Sequence, residues 1–268
     1  MAEPDEVPAG VNTAVPNGAR IYDYLLGGKD NYEADRRAAE QMIAANPAAP
    51  LTARANRDFL GRAVRFLAAE RGVRQFIDIG AGLPTQQNVH EVAQAAAPGS
   101  RVVYADYDPV VVAHADALLA TTGDVTVIRG DLKRPREILD DAGTRALLDF
   151  DEPIAVLLVA ILHFVGPGED PWGIVAGLRD ALPSGSHLVV SHTASESPDG
   201  VMAAAQRGFR ASGAPLTART RAEIERFFDG FDLVEPGLVD VRAWRSGDSA
   251  GDLPELPWTM VGGVGRRP

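Results

Sequence analysis

Five short apolar runs recur between residues 75 and 192, and most are separated by stretches with helical spacing. The runs cover residues 75–79, 101–105, 125–129, 154–160 and 187–192. The helical stretches lie at about 87–97, 109–121, 135–140 and 171–181. Strands that alternate with helices predict βαβ units and a parallel sheet, because parallel neighbours need a long crossover. Right-handed crossovers then place helices on both faces of the sheet.

The segments on either side of this alternation complete the predicted domain organisation. A helix at about 220–228 precedes "FDLVEPGLVDV" and "WTMVGGVG", which we expect to pair antiparallel at the sheet edge. Residues 73–268 are therefore predicted to form one α/β domain. Residues 18–72 are predicted to form a helical cap with a break at Gly27–Gly28. Residues 1–17, rich in proline and acids, are predicted to form a flexible tail.

Composition excludes several functional classes. The net charge of −11 over 268 residues argues against general nucleic-acid binding, which needs Lys and Arg to neutralise phosphates. The absence of cysteine excludes disulfides, thiolate metal sites and a catalytic thiol, and the scattered histidines predict no metal site. The longest apolar stretch, 154–165, is shorter than the roughly 20 residues that span a bilayer. With an acidic start unlike a signal peptide, the sequence predicts a cytoplasmic protein without a membrane segment.

The first strand ends in "DIGAGLP", where Asp78 is followed at once by a glycine turn. Gly80 and Gly82 permit a tight turn and let a ligand approach the backbone. The third glycine of the dinucleotide fingerprint is missing, and Pro84 and Thr85 stand in that region instead. A ligand without a pyrophosphate would relax the demand for that glycine. A plain strand-to-helix turn is the alternative interpretation.

Acidic residues also follow the next two strands, at the sheet edge where ligands of open parallel sheets bind. In "VVYADYDP", Asp106 is expected to accept hydrogen bonds from ribose hydroxyls, whereas Asp108 is expected to cap the helix that begins at Pro109. In "RGDL", Asp131 is expected to accept from the exocyclic amine of adenine, with Leu132 against the ring. The alternatives are a cap role for Asp106 and a solvated loop acid at Asp131. Together with the glycine turn, these acids indicate an adenosine laid across the strand ends.

The fourth strand contributes the last group at this edge. Ala160, Ile161 and His163 leave the strand beside the predicted crevice. His163 is either a base or a polar cover on the pocket, and a structural histidine is the more common case for such a residue.

These motifs resemble those of class I S-adenosylmethionine-dependent methyltransferases. More narrowly, "ARIYDYLLGGKDNYEADR" followed by "DIGAGLPTQQNVHEVAQ" is similar to an actinobacterial S-adenosyl methyltransferase family of largely unassigned substrate. The resemblance implies a Rossmann-like, seven-stranded, mostly parallel sheet with its last strand antiparallel. It implies S-adenosylmethionine as cofactor, with S-adenosylhomocysteine as product. The implied cofactor residues are Asp78, Gly80, Ala81, Gly82 and Leu83 at the methionine part, Asp106 with Tyr107 at the ribose, and Asp131 with Leu132 at the adenine, beside Ala160, Ile161 and His163.

The N-terminal cap combines tyrosines and charges around its double glycine. We interpret it as a lid over cofactor and acceptor, since lids use hinges and close to exclude water; the alternative is an ordinary amphipathic helix pair. Arg20 or Lys29 is expected to pair with the methionine carboxylate. Candidates for a catalytic base are His163, Tyr22, Asp23 and His192.

The sequence therefore predicts an S-adenosylmethionine-dependent methyltransferase that acts on a small molecule. Two alternatives stay open at this point. One is a protein that binds the cofactor for regulation and does not turn it over. The other is an NAD(P)-dependent oxidoreductase on a similar sheet, against which the missing third glycine argues. The sequence leaves the acceptor and the oligomeric state open.

Overall fold

A mostly parallel sheet forms the centre of the molecule. The computed structural model describes residues 12–84, 87–119, 123–196, 199–211, 215–247 and 256–268. The strands are β1 (Gln75–Ile79), β2 (Arg101–Asp106), β3 (Val125–Arg129), β4 (Ala155–Val159), β5 (His187–Thr193), β6 (Asp232–Leu233), β7 (Val239–Asp240) and β8 (Met260–Arg266). Their spatial order is β3-β2-β1-β4-β5-β8-β6, with β7 also paired to β8.

The direction of the strands agrees with the sequence prediction. Neighbours among β1 to β5 are parallel, and β8 runs antiparallel to β5, β6 and β7. The described residues contain eight strands where seven were predicted. The difference arises because β6 and β7 are two-residue strands that pair with different parts of β8, so that together they take the place of one interrupted strand.

Ten α-helices surround the sheet in the part of the chain that the structure describes. They are α1 (Gly18–Leu26), α2 (Glu33–Ala45), α3 (Ala49–Glu70), α4 (Val89–Ala96), α5 (Pro109–Leu119), α6 (Pro135–Leu139), α7 (Ala142–Leu147), α8 (Pro171–Ala181), α9 (Asp199–Ala211) and α10 (Arg221–Glu225). Two apolar clusters contain inward-facing strand residues, one with side chains of α3 and α4 and the other with side chains of α6 and α8. Every residue of β1 and β5 is buried, as expected for strands covered on both faces.

The N-terminal cap packs against later parts of the chain through a third apolar cluster. Ile21 and Leu25 of α1 lie in one cluster with Met42 of α2, Phe209 of α9 and Trp258. Helix α3 connects this cluster to the sheet, because its first turns belong to the cap cluster and its later turns to the core under the sheet. The division at residue 72 between cap and sheet domain stays a prediction.

The last residue of the predicted tail, Asn17, has hydrogen-bond partners in the cap. Residues 1–11 lie outside the described residues, but Asn17 is the N-cap of α1, where its side chain accepts hydrogen bonds from the backbone of Ala19 and Arg20. Its own backbone N–H donates to Asp35 at 2.8 Å. Residues next to α1 therefore have polar anchors that proline content did not reveal.

The break between α1 and α2 depends on a glycine that touches a buried acid. Helix α1 ends at Gly27, whose φ of 85° suits glycine. A Cβ at Gly28 would overlap the carboxylate of Asp23, which accepts a hydrogen bond from Asn31 Nδ2 at 2.8 Å. The acid thus organises the turn that follows its helix.

We expect Gly28→Ala to destabilise the protein by about 1–3 kcal/mol, as overpacking of a buried site does. Gly18→Ala is the matched control, because a Cβ at Gly18 meets no atom within 4 Å and alanine is the better helix former. Urea unfolding of both variants measures the difference. Equal stability of the two would show that the Asp23 carboxylate moves freely.

In the described part of the chain, no helix is long and apolar enough to cross a membrane.

Candidate functional site

Two adjoining cavities lie at the carboxyl ends of β1, β2, β3 and β4. The first lies between these strand ends and the cap, and the second lies over the end of β3. Both are bordered by Gly80, Tyr107, Ile161 and Phe164, so the two cavities form one crevice with a shared middle wall. This is the position at which open parallel sheets bind ligands.

The glycine turn after β1 forms the floor between the two cavities. Gly80 and Gly82 have φ values of 73° and 67°, a backbone region that disfavours any residue with a Cβ. A Cβ at Gly80 would lie 2.6 Å from the Ile161 side chain, whereas a Cβ at Gly82 would meet no atom within 4 Å. The space over Gly82 is therefore open to a ligand. Thr85 lies outside the described residues.

Asp106 ends β2 and faces the first cavity. Its carboxylate accepts hydrogen bonds from the backbone N–H groups of Gly82 at 3.0 Å and Asp108 at 2.9 Å. Burial raises the pKa of Asp106 to about 6, although these hydrogen bonds act in the opposite direction. Each oxygen retains acceptor capacity, because a carboxylate has about four lone-pair sites.

Asp108 caps the helix that begins at Pro109, as its place in the sequence indicates. Its Oδ1 accepts from the backbone of Val110 at 2.8 Å, two residues ahead. Its Oδ2 accepts from the side chain of Asn17, which joins the cap to the end of β2. The prediction that Asp108 caps α5 is confirmed by this hydrogen bond. The side chain also contacts Asn17, the N-cap residue of α1.

A buried acid, Asp78, and a half-buried arginine, Arg57, both border the first cavity. The Asp78 carboxylate is 4% exposed and accepts no hydrogen bond within the described residues. Burial raises its pKa to about 7, and the nearby Arg57 guanidinium opposes this rise. Arg57 lines the same cavity, and its Nε is buried without a hydrogen-bond partner in the described structure. Buried polar groups are usually paired, so both groups fit a ligand with charges at one end.

Arg20 and Lys29, predicted to meet a ligand carboxylate, lie elsewhere. The Arg20 guanidinium is buried against Asp35, with Nε 2.8 Å from Oδ2, and also donates to the Val15 carbonyl. Lys29 is exposed in the turn after α1. Neither borders the two cavities described above. Arg20 pairs with Asp35 of α2 and not with a ligand carboxylate, and its position in the sequence does not reveal this partner.

Asp131 and Leu132 border the second cavity, together with Gly130 and Lys133. The Asp131 carboxylate accepts from the backbone of Lys133 at 3.0 Å and lies 3.8 Å from Arg134 Nε. Its side chain is one-third exposed, at 33%. Leu132 is buried in the core cluster beneath the cavity. The acid and the apolar side chain therefore border the same cavity.

Of the two histidines considered as bases, only His163 lines the first cavity. Burial lowers its pKa well below the usual value, and the neighbouring His192 and Arg219 lower it further. His163 Nδ1 lies 3.5 Å from the hydroxyl of Thr193, and no protein partner reaches Nε2 in the described residues. His163 is therefore a neutral imidazole that borders the cavity and has one ring nitrogen without a protein partner among the described residues.

His192 is buried behind this wall and has both ring nitrogens engaged. Nδ1 lies 2.8 Å from the Thr193 carbonyl, and Nε2 lies 2.8 Å from Arg219 Nη1. Because the carbonyl can only accept and the guanidinium can only donate, the proton is on Nδ1 and the ring is neutral. His192 therefore does not face the cavity, and its proposal as a base is corrected.

Tyr22 and Asp23 both border the first cavity, but their polar atoms are occupied. The Tyr22 hydroxyl donates to the Ala53 carbonyl at 3.0 Å and accepts from Asn56 Nδ2 at 2.9 Å. Burial raises the pKa values of both Tyr22 and Asp23. These contacts favour a structural role for the two side chains.

Asn56, which the sequence did not single out, extends this contact into the sheet. Its Oδ1 accepts from the Ser191 hydroxyl at 2.6 Å, and Ser191 Oγ accepts from the backbone of Ala160 at 2.9 Å. Ala160 has a φ of 56°, which is uncommon for a residue with a Cβ. The network therefore joins α1 through α3 to the strained turn after β4.

Among the described residues, no group of three or more acidic or histidine side chains is placed to hold a metal ion.

Comparison with known proteins gives matches over nearly the whole length of the chain. The sequence matches a family model described as S-adenosyl methyltransferase at residues 4–268. A DUF574 family protein from Streptomyces avermitilis is 44% identical, with a TM-score of 0.91 and coverage of 96% of this chain and 99% of that chain. A proposed methyltransferase from Thermobifida fusca is 40% identical, with a TM-score of 0.92 and coverage of 98% and 99%.

More distant structures share the fold alone. Human N-acetylserotonin methyltransferase, solved with S-adenosylmethionine, is 13% identical, with a TM-score of 0.51 and coverage of 94% of this chain and 63% of that chain. No curated protein matches the sequence.

Proposed function

This chain belongs to the S-adenosyl methyltransferase family, and from that premise we propose how its residues hold the methyl donor. It is an S-adenosylmethionine-dependent methyltransferase whose acceptor is unidentified, and S-adenosylhomocysteine is its product. Neither the non-catalytic regulator nor the NAD(P)-dependent oxidoreductase considered from the sequence finds support in the family or its relatives.

The amino-acid end of the cofactor is assigned to Asp78 and Arg57. A zwitterion carries an ammonium for the buried carboxylate and a carboxylate for the guanidinium, whose Nε has no other partner in the described residues. Charge-assisted hydrogen bonds of this kind are about twice as strong as neutral ones. The open space over Gly82 then admits the chain that connects this end to the sulfur. The unpaired Asp78 carboxylate and the unpaired Nε of Arg57, whose Nη2 donates to the Gln87 carbonyl at 3.4 Å, are the observation that carries the proposal.

The nucleoside end is assigned to the acids at the neighbouring strand ends. Asp106, with Tyr107 beside it, accepts from the ribose hydroxyls. Asp131 accepts from the adenine amine in the second cavity, and Leu132 lies beneath the ring. Ala160 and Ile161 complete the wall that both cavities share. The order of these residues along the crevice matches the order of groups in the ligand.

The chemistry that the bound cofactor supplies is a methyl group activated by the sulfonium charge. The chain's own contribution is to align an acceptor and exclude water, for which effective molarities of about 10⁵ M or more are known. His163 is the residue placed to take a proton from the acceptor, since its ring is neutral and has a free nitrogen. Tyr22 and Asp23 shape the wall beside it.

Calorimetric titration with S-adenosylhomocysteine tests the assignment of the charged end. Arg57→Met removes the guanidinium and retains an apolar stem, and we expect the dissociation constant to rise at least tenfold. Arg20→Met is the matched control, because the ion pair of Arg20 lies outside the crevice. If Arg20→Met weakens binding more than Arg57→Met in folded protein, the carboxylate is bound at the other arginine.

Asp131→Asn tests the adenine assignment. The variant should lose more affinity for S-adenosylhomocysteine than for its inosine analogue, because the analogue lacks the amine that the carboxylate accepts from. We expect a loss of about tenfold for the first ligand and a smaller one for the second. An equal loss for both ligands would assign Asp131 to the loop structure, where it already bonds to Lys133.

The cap is proposed as a lid, because residues of α1 border the first cavity. Two side-chain hydrogen bonds, from Asn17 to Asp108 and from Asn56 to Tyr22, would hold the lid in its closed position. Hydrogen exchange at residues 19–31 should slow at least tenfold when S-adenosylhomocysteine is added. Removal of residues 1–11 should leave binding unchanged, whereas removal of residues 1–31 should abolish it in a folded protein. Equal protection of residues 19–31 with and without ligand would make the cap a fixed part of the core.

A further inference from the structure

The part of the first cavity beneath the cap is lined mainly by apolar side chains. We call it the acceptor chamber, and its wall is formed by Leu25, Leu26, Ala49, Ala53, Phe164, Phe209, Trp258 and Met260. Polar side chains border it at Tyr22, Asp23, Thr52, Asn56 and His163. Their hydrogen bonds decide what kind of molecule the chamber can bind, because a buried polar group left unpaired is costly.

The protein itself satisfies most of these polar side chains. Tyr22 and Asn56 bond to each other, and the Thr52 hydroxyl has its partners in the Ala48 and Trp258 carbonyls. The Asp23 carboxylate is held by Asn31 in the turn after α1. Nε2 of His163 remains as the nitrogen without a protein partner in the described residues. Among the polar side chains that border the chamber, His163 is therefore the one with a ring nitrogen left for a ligand, and the Asp23 carboxylate retains acceptor capacity.

The charge around the chamber excludes an anionic acceptor. Among the described residues that line the first cavity, Arg57 is the single arginine or lysine, and it is assigned to the donor's carboxylate. Burial keeps His163 neutral, with Arg219 and His192 behind it. An acceptor carboxylate or phosphate would lie without a counter-charge, which is strongly unfavourable in a buried site.

The rings in the wall form a continuous edge-to-face series. Centroid separations are 4.4 Å from His163 to Phe164, 5.0 Å from Phe164 to Phe209, and 6.4 Å from Phe209 to Trp258. Interplanar angles of 66–76° present ring edges and faces at which a further aromatic ring gains contact beyond its buried area. The wall therefore favours a flat ring over an aliphatic one.

We propose that the acceptor is a small, uncharged aromatic compound with one hydroxyl group, methylated on that oxygen. This inference rests on the proposed function. A lone pair of the hydroxyl oxygen forms the new bond to the methyl carbon, and the pair of the broken carbon–sulfur bond stays on sulfur, which becomes neutral. The hydroxyl proton passes to His163 Nε2, which releases it to water afterwards. Because the hydroxyl group of the acceptor has to lose its proton, the unpaired Nε2 of His163 has a role in the reaction.

The test uses the full chain saturated with S-adenosylhomocysteine and three probes of matched size: 4-methylphenol, 4-methylbenzoate and 4-methylcyclohexanol. Saturation-transfer NMR gives the affinities. We expect the phenol to bind at least tenfold more tightly than the other two. In Phe209→Leu, which removes a ring of the wall, the preference over cyclohexanol should fall severalfold while the affinity for S-adenosylhomocysteine is retained.

Methyl transfer is then followed by mass spectrometry with S-adenosylmethionine and either 4-methylphenol or 4-methylaniline. Formation of the methyl ether supports the proposal, and methylation of the aniline alone overturns the choice of oxygen. Equal or tighter binding of the benzoate or the cyclohexanol overturns the proposed acceptor class while the donor site stands. Failure of S-adenosylhomocysteine to bind at all refutes the proposed function and, with it, this inference.

Discussion

Asp106→Ala should weaken S-adenosylhomocysteine binding by ten- to hundredfold. The expected loss is about 1.5–3 kcal/mol, the usual range for hydrogen bonds to a charged group. The carboxylate is well placed for this role because Gly82 and Asp108 fix its two oxygens from the protein side. Calorimetric titration measures the effect, with circular dichroism to verify that the variant folds.

Asp108→Ala is the matched control for this experiment, two residues along the chain. It should cost about 1 kcal/mol of stability, since the side chain caps α5, and change affinity much less than Asp106→Ala. Equal affinity of the wild type and Asp106→Ala would contradict the ribose assignment. A larger loss of affinity in Asp108→Ala would instead identify the contact with Asn17 as the feature that holds the ligand in place.

Asp78→Asn should make the ligand-free protein more stable and a poorer binder at the same time. Burial raises the folded-state pKa of Asp78 from 3.8 to about 7, so at pH 8 the folded protein contains a costly charge. The shift corresponds to at most about 4 kcal/mol, and we expect a gain of about 2–4 kcal/mol in urea unfolding at pH 8. Loss of the counter-charge for the ammonium should weaken S-adenosylhomocysteine at least tenfold.

The pH dependence gives this prediction its sign. A carboxyl whose pKa is raised by folding stabilises the folded state at low pH and loses that contribution as pH rises through about 7. The stability difference between Asp78→Asn and wild type should therefore be largest at pH 8 and shrink as pH falls from 7 toward 4. Asp151→Asn, which removes an exposed charge, should show no such trend. A constant difference at all pH values would contradict the buried charge at Asp78.

The sheet could be predicted from sequence because its strands are buried on both faces. Continuous apolar runs specify β1 to β5 almost to the residue, and a glycine or an acid stands at the ends of β1, β2 and β3. The β6–β7 interruption was harder to foresee, because a two-residue strand has no periodicity to detect.

The charged groups of the site were harder to predict, because their partners come from distant segments. The sequence predicts that Arg20 binds the carboxylate of the cofactor, but its guanidinium pairs with Asp35, fifteen residues later. Arg57 lies in a long amphipathic helix, where one arginine among several carries no local signal. His163 and His192 look alike in the sequence, and only the packing of Arg219 against His192 separates them.

The residues assigned to the methyl donor and those of the acceptor chamber come mostly from different parts of the chain. Strand ends of the sheet supply Asp78, Asp106 and Asp131, and the middle of α3 supplies Arg57. Helix α1, the first turns of α3, α9 and the segment that enters β8 supply most of the chamber. We therefore expect single side-chain substitutions in the chamber to leave the donor contacts in place. Randomising positions such as Leu25, Phe209 and Trp258 should therefore allow a new acceptor specificity to be selected by directed evolution. The residues that bind the methyl donor would stay unchanged in such a library.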